Sequence, residues 1–285
     1  MESLSREKLI ELQERANTIR QDIIEMLVEA GSGHSAGPLD MADIFAALYF
    51  DLLRHDPTNP TWEGRDRLIL SNGHICPVRY AAMAEAGYFP RSELSTLRKF
   101  GSRLQGHPDR GRLPGLESTS GPLGAGLAQA AGLAYAARMD RQTWRTYCLV
   151  SDAEEEAGLH WEAVLFAAKF HLDNLICIVD RNNIEIDGTT RDVMPLDPLR
   201  DKYEAFNWHA LECDGNDIAA VIDTVRKAWS SPEKPKVIIA HTVAGKGVNF
   251  MEGDYHWHGK PPSAKQATEA LQELRARREK IEAER

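Results

Sequence analysis

Asp152 follows the apolar run TYCLVS (146–151) directly, and Asn182 stands just beyond a second such run, NLICIVD (174–180). A carboxylate oxygen, an amide oxygen and the backbone carbonyls after them are hard donors of the kind Mg²⁺ or Ca²⁺ takes. Magnesium commonly completes its shell with phosphate oxygens and water. An acidic loop and an asparagine loop on adjacent strands therefore suggest a metal that holds a diphosphate. Glu154, Glu155 and Glu156 crowd the same acidic loop. In the first turn of the next helix their charge is favoured by the helix dipole, so they are read as a water-facing helix start. The ten histidines offer donors and acceptors near neutral pH, but a histidine taken alone reads as a surface or structural residue.

Parts that can meet in one place must be held by a scaffold, and the chain supplies one. RLILS (67–71), TYCLVS, NLICIVD and PKVIIAH (235–241) are short, β-branched and almost continuously apolar. That pattern suits strands buried on both faces of a parallel sheet. Helical patterns fill 74–87, 121–138, 158–171, 196–205 and 216–229, preceded by an amphipathic helix over 5–30 and another over 40–53 with Asp40 as its N-cap. The alternation predicts an α/β fold, a doubly wound and mostly parallel sheet flanked by helices. Ligands of such sheets bind beyond the carboxyl ends of the strands. Four polar loops fall there: SNGH (71–74), SDAEEEAG (151–158), DRNNIEIDG (180–188) and HTVAGKG (241–247).

Length and composition narrow the function. The 285 residues, 42% hydrophobic and 27% charged, are ordinary for a globular protein. A net charge of −9 argues against a general nucleic-acid binder, because little is left over to neutralise a run of phosphates. No apolar run reaches the roughly 18 residues of a membrane span, and the N-terminus lacks a signal-peptide core, so a cytoplasmic location is expected. Cys76, Cys148, Cys177 and Cys213 show no ligand spacing and read as reduced thiols. One domain over 1–262 is expected, followed by a charged helical tail over 263–285 that faces solvent, docks on a partner or frays.

The segment SDAE…WEA…FAAKFHLDNLICIVDRNNIEIDG resembles the thiamine diphosphate motif, which begins GDG and ends NN about thirty residues later. Around it stand GSGHSAGPLDMADIFAALYF, DRLILSNGH, GSRLQGHPD, SGPLGAGL and WHGKPP. All are in the order found in transketolases. Over roughly residues 10–262 the chain is similar to the N-terminal, diphosphate-binding half of that family, whose fold is the α/β fold just derived.

The resemblance implies that Asp152, Asn182 and the carbonyl of Ile184 hold Mg²⁺ (or Ca²⁺). It implies thiamine diphosphate as cofactor, bound near His74, His258, Gly121, Pro122, Leu123, Asp152, Ala153, Glu154 and Asn182. His34 and His107, together with His258, would line the substrate channel as catalytic groups, while His55, His160, His171, His209 and His241 keep the structural reading and His256 is undecided. The implied reaction is transfer of a two-carbon ketol unit from a sugar or sugar-phosphate ketose to an aldose. The pyrimidine-binding domain of full-length transketolases, with its activating glutamate, is not within these residues. A separate C-terminal subunit in an α₂β₂ assembly is therefore implied.

Four departures from the family pattern stand out. GDG reads Ser151-Asp152-Ala153, QEG has Ala157 for its glutamate, the KGKG-like loop begins at Ala244, and GHPGG reads GHSAG. They motivate two alternatives, a non-catalytic regulatory or scaffold subunit, and 1-deoxyxylulose-5-phosphate synthase or a related enzyme. A nucleotide-binding oxidoreductase would rest on GPLGAG (121–126) alone.

Overall fold

The computed structural model describes residues 4–231 and 233–285. Its centre is a five-stranded, all-parallel sheet of β1 (Arg67–Leu70), β2 (Thr146–Ser151), β3 (Leu175–Arg181), β6 (His209–Asp214) and β7 (Lys236–His241), in the order β1-β2-β3-β7-β6. The four runs predicted as strands are β1, β2, β3 and β7. Alternate side chains go to opposite faces, and both faces are covered. Tyr147, Leu149, Ile176, Ile178 and Ile238 enter one core. Cys148, Val150, Cys177, Val179 and Ile239 enter the other. Full burial of both sets is why these strands read as unbroken apolar runs.

The first core is roofed by α1 (Arg6–Ala30), α2 (Ala36–Asp40), α3 (Ala42–Ala47), α4 (Cys76–Glu85) and α9 (Ile218–Trp229), the second by α5 (Gly126–Met139), α6 (Gly158–Lys169) and α8 (Leu199–Ala205). A small antiparallel pair, β4 (Ile184–Glu185) and β5 (Gly188–Thr189), and the short α7 (Thr190–Val193) lie between β3 and α8. Ser5 caps α1 through the amide of Lys8, and Gly31 ends it at φ +62°, a left-handed conformation that glycine adopts without strain. That stop sets the position of the loop carrying His34.

The charged tail forms α10 (Ala264–Ala283), opened by a Ser263–Gln266 capping box. It packs along α1, burying Ala267, Ala270, Leu274 and Ile281, and Asn17 donates to the Leu274 carbonyl at 3.0 Å. Its apolar stripe is three to four residues in period but thin, so the surrounding charge hid it. The four cysteines are free and three are buried.

Candidate functional site

Each strand end delivers one part of the site. After β1 a tight turn at Gly73–Ile75 presents His74; a Cβ on Gly73 would lie 2.5 Å from the Ser120 hydroxyl, so only glycine lets this loop approach the next. After α1 comes His34, and after the turn at Tyr255–Trp257 comes His258. The three rings form a triangle, with centroids 4.8 Å apart for His34–His74, 5.5 Å for His34–His258 and 5.3 Å for His74–His258. Burial lowers the pKa of all three, His34 to about 4 and His74 well below the usual imidazole range, and charge on His258 further disfavours charge on the other two. Neutral imidazoles at pH 7 result. His107, also lowered by burial and then by Arg98, is exposed on the rim, where a Cβ on Gly121 would lie 3.8 Å from its ring.

His74 and His258 face a cavity of about 270 Å³ whose other walls include Leu123, Ser151, Ala153, Asn182 and Ile184. Asn72 also lines it, and among the described residues neither end of its buried amide has a partner. A buried amide left unsatisfied is a group held for a ligand or for water. Asn182 is oriented: its Nδ2 donates to Asp40 at 3.1 Å and Asp180 at 3.0 Å, and its Oδ1 accepts from the Ile184 amide at 3.1 Å. Carboxylates accept only the NH₂ end, so the oxygen is fixed on the side of the Ile184 backbone.

Asp152 is fully buried and turned into the seam between the two metal-type loops. Its Oδ1 accepts from the Ala153 amide at 2.8 Å. Its Oδ2 accepts from the Asn183 amide at 2.8 Å and from Arg181 at 3.3 Å. Burial raises its carboxyl to about 6 against these donors. Among the described residues no three His, Cys, Asp or Glu side chains converge as a metal site. The donor chemistry is instead mixed, one carboxylate, one amide oxygen and a backbone carbonyl, which suits a magnesium ion that keeps water and phosphate in its shell. The oriented Asn182 oxygen and the unpartnered Asn72 amide fit such a group.

The acidic loop corrects one expectation. Glu154 and Glu155 do not face water; both are buried, and only Glu156 is exposed. The reason is local: after Asp152 the chain makes a tight 3₁₀ turn over Ala153–Glu156, and α6 begins only at Gly158. The turn tucks two of the three carboxyls inward. Glu154 lies behind the Gly121–Leu123 loop, its carboxyl accepting from the Gly124 amide at 3.4 Å and bonded to Ser71, and burial raises it to about 8.

The profile of the transketolase thiamine diphosphate binding domain matches residues 12–280. One of the two apulose-4-phosphate transketolase chains of Phocaeicola vulgatus is 40% identical over 275 residues, 96% of this chain and 97% of its own length. The 6-deoxy-6-sulfo-D-fructose transketolase subunit SqwG of a Clostridium species is 42% identical over 252 residues, covering 88% of this chain and 92% of that one. The chain belongs to the transketolase family. Human transketolase is 36% identical over 94% of this chain but only 42% of its own. The solved transketolase of Leishmania mexicana superposes with a TM-score of 0.85 at 31% identity, over 99% of this chain and 46% of that one. The chain thus spans less than half the length of these two transketolases.

Within this family fold the site includes residues that sequence reasoning passed over. Asp40 is not an N-cap: the helix begins at Ala36, so Asp40 falls at its end with its side chain buried against Asn182. Asp180 accepts from the Thr242 hydroxyl at 2.5 Å as well as from Asn182. Arg181 bridges Asp152 and, at 3.2 Å, Asp197. Asp180 and Arg181 sat in the quoted DRNN loop, but strand alternation gave no sign that both would be buried. GPLGAG precedes α5 at the end of an irregular stretch, not after a strand, so it lacks the strand–loop–helix setting of a dinucleotide site.

Proposed function

We propose that this chain is the cofactor-diphosphate-binding subunit of a two-chain transketolase, working in the cytoplasm with a separate chain that carries the pyrimidine-binding half. The observation that carries the reading is the convergence on one cavity of the oriented Asn182 oxygen, the adjoining Ile184 backbone, the unpartnered Asn72 amide and a triangle of neutral histidines. Asp152, Asn182 and the Ile184 carbonyl would hold Mg²⁺. His74, the Gly121-Pro122-Leu123 loop and the Ala153 backbone would hold thiamine diphosphate, with Glu154 bracing that loop from behind. When bound, the cofactor supplies an electron sink for the bond broken beside a ketose carbonyl.

The chain's own part is to orient, to exclude water and to handle protons. His34 and His258, neutral through burial, can each accept or donate at a substrate hydroxyl or carbonyl without bringing a fixed charge into the cavity. His107 on the rim would contact the sugar end. Residues 1–262 would form the diphosphate domain, with 263–285 strapped to it along α1. An α₂β₂ assembly is the natural closed form, and the ketose and aldose would be sugars or sugar phosphates.

The test is calorimetric titration of Mg²⁺ and thiamine diphosphate into the chain co-expressed with its partner, beside the Asp152→Ala and His107→Ala variants. Binding that is lost in the first variant, and a His107→Ala variant that binds but turns over slowly, are the expected results. A complex of normal stability that binds neither ligand would sink the reading.

A further inference from the structure

On the far side of the acidic loop from the cavity lies a second polar cluster that the proposed reaction does not use. Glu155 and His160 are wholly buried, and so is Tyr203 of α8. The Tyr203 hydroxyl donates to Oε1 of Glu155, His160 Nε2 lies 2.7 Å from the same hydroxyl, and Nε2 is 3.6 Å from Oε1. With the tyrosine proton directed to the carboxyl, the imidazole N–H must point at the tyrosine oxygen. Among the described residues no lysine or arginine bonds to this carboxyl, and burial raises it well above the usual range while lowering His160 to about 4. The cluster is therefore a neutral hydrogen-bonded chain and not an ion pair.

Its position is the informative part. Glu155 is gripped at three atoms: its amide donates to the Asp152 carbonyl at 3.0 Å, its own carbonyl accepts from Trp161 Nε1 at 2.7 Å, and its side chain is held by Tyr203. Trp161 in turn packs on Tyr203, with ring centroids 5.3 Å apart. α8 closes the segment that begins at Asn182 and runs through β4, β5 and α7. One hydroxyl thus ties the loop after β2 to the end of the segment after β3.

We propose that Glu155, His160 and Tyr203 form a clamp that fixes the Asp152 loop against α8, and that Glu155 and Tyr203 are positioning residues for the site where those two loops meet. That the clamp serves cofactor binding rests on the function proposed above; that it immobilises the loop does not. Side chains replace both glycines beside Asp152 here, so the backbone of the loop has little room to find its place when a ligand arrives. The clamp sets it beforehand.

The two claims are read separately. In the cofactor-free chain, amide hydrogen exchange over 153–157 should quicken about tenfold in Tyr203→Phe and Glu155→Leu. Glu155→Gln, which keeps the carbonyl acceptor of a neutral acid, should exchange close to wild type. Leu172→Ala, a cavity in the same core remote from the loop, serves as the control for general destabilisation. Equal exchange in all variants, or the same acceleration in the Leu172→Ala control, overturns the clamp. In the two-chain complex, Tyr203→Phe should weaken Mg²⁺–thiamine diphosphate binding about fivefold to tenfold while kcat at saturation stays within about twofold. Unchanged affinity despite faster exchange overturns the positioning role. Wild type that binds no cofactor overturns the proposed function and leaves the exchange result to decide the clamp.

Discussion

At the scale of single residues, the informative ones are those whose neighbours contradict their type. Glu155 and His160 are ionisable side chains placed where neither gains from ionising, and pH exposes the cost. The His160 pKa falls to about 4 in the fold, whereas an unfolded histidine titrates near ~6.5. The native state then binds fewer protons than the unfolded one between these values. Its contribution to stability is complete above pH ~6.5 and is lost as pH falls toward ~4. His160→Gln should therefore lose about 2 kcal/mol less than wild type between pH 7 and pH 5 in urea unfolding. Parallel losses in the two proteins would show that His160 does not titrate alone in that interval. His34 shifts the same way but is present in both, so the difference isolates the clamp. Ser151 and Ala153 show the opposite lesson. Both line the cavity, as their place beside Asp152 implies, and the site's departure from the family was legible there. The burial of Glu154 and Glu155 was not, because a 3₁₀ turn and an open helix start share one composition.

At the scale of elements, legibility followed apolar continuity. β1, β2, β3 and β7 are buried along nearly their whole length, and each was visible as a run. β6 is an edge strand in which Ala210 is buried while Leu211, Glu212 and Asp214 are not, so no run marks it. β4 and β5 are two residues each, too short for any periodicity. α10 failed for a different reason: its buried stripe is two alanines, Leu274 and Ile281 among charges. Because α10 packs on α1, and α1 ends at the His34 loop, the tail helps hold the site although it touches none of it. Leu274 is fully buried, and Leu274→Ala should cost about 2–4 kcal/mol, measured by chemical denaturation. A loss below about 0.5 kcal/mol, the scale of a surface change, would mean that α10 is not docked in solution.

At the scale of the whole molecule, the open question is what covers α5 and α6. Leu159, Leu165 and Phe166 lie along one stripe of α6 at 44%, 54% and 37% exposure, with Glu162 between them, and Met139 at the end of α5 is 68% exposed. Large apolar side chains gathered on one face commonly mark an interaction surface. The stripe begins at Leu159, a few residues from Glu156 and Ala153 on the cavity wall, and Leu123 at the mouth is itself 48% exposed. A surface that starts at the site and runs outward is where a chain completing that site would sit. A second copy of this chain would also bury the stripe, but it would add no pyrimidine-binding half. Phe166→Glu tests the choice, since the substitution places charge on an exposed stripe without entering either core. Co-purification with the partner subunit should fall at least tenfold, and thiamine diphosphate binding with it, while the melting temperature of the isolated chain stays within a few degrees of wild type. Retained partner binding with loss of self-association would instead assign the face to a second copy.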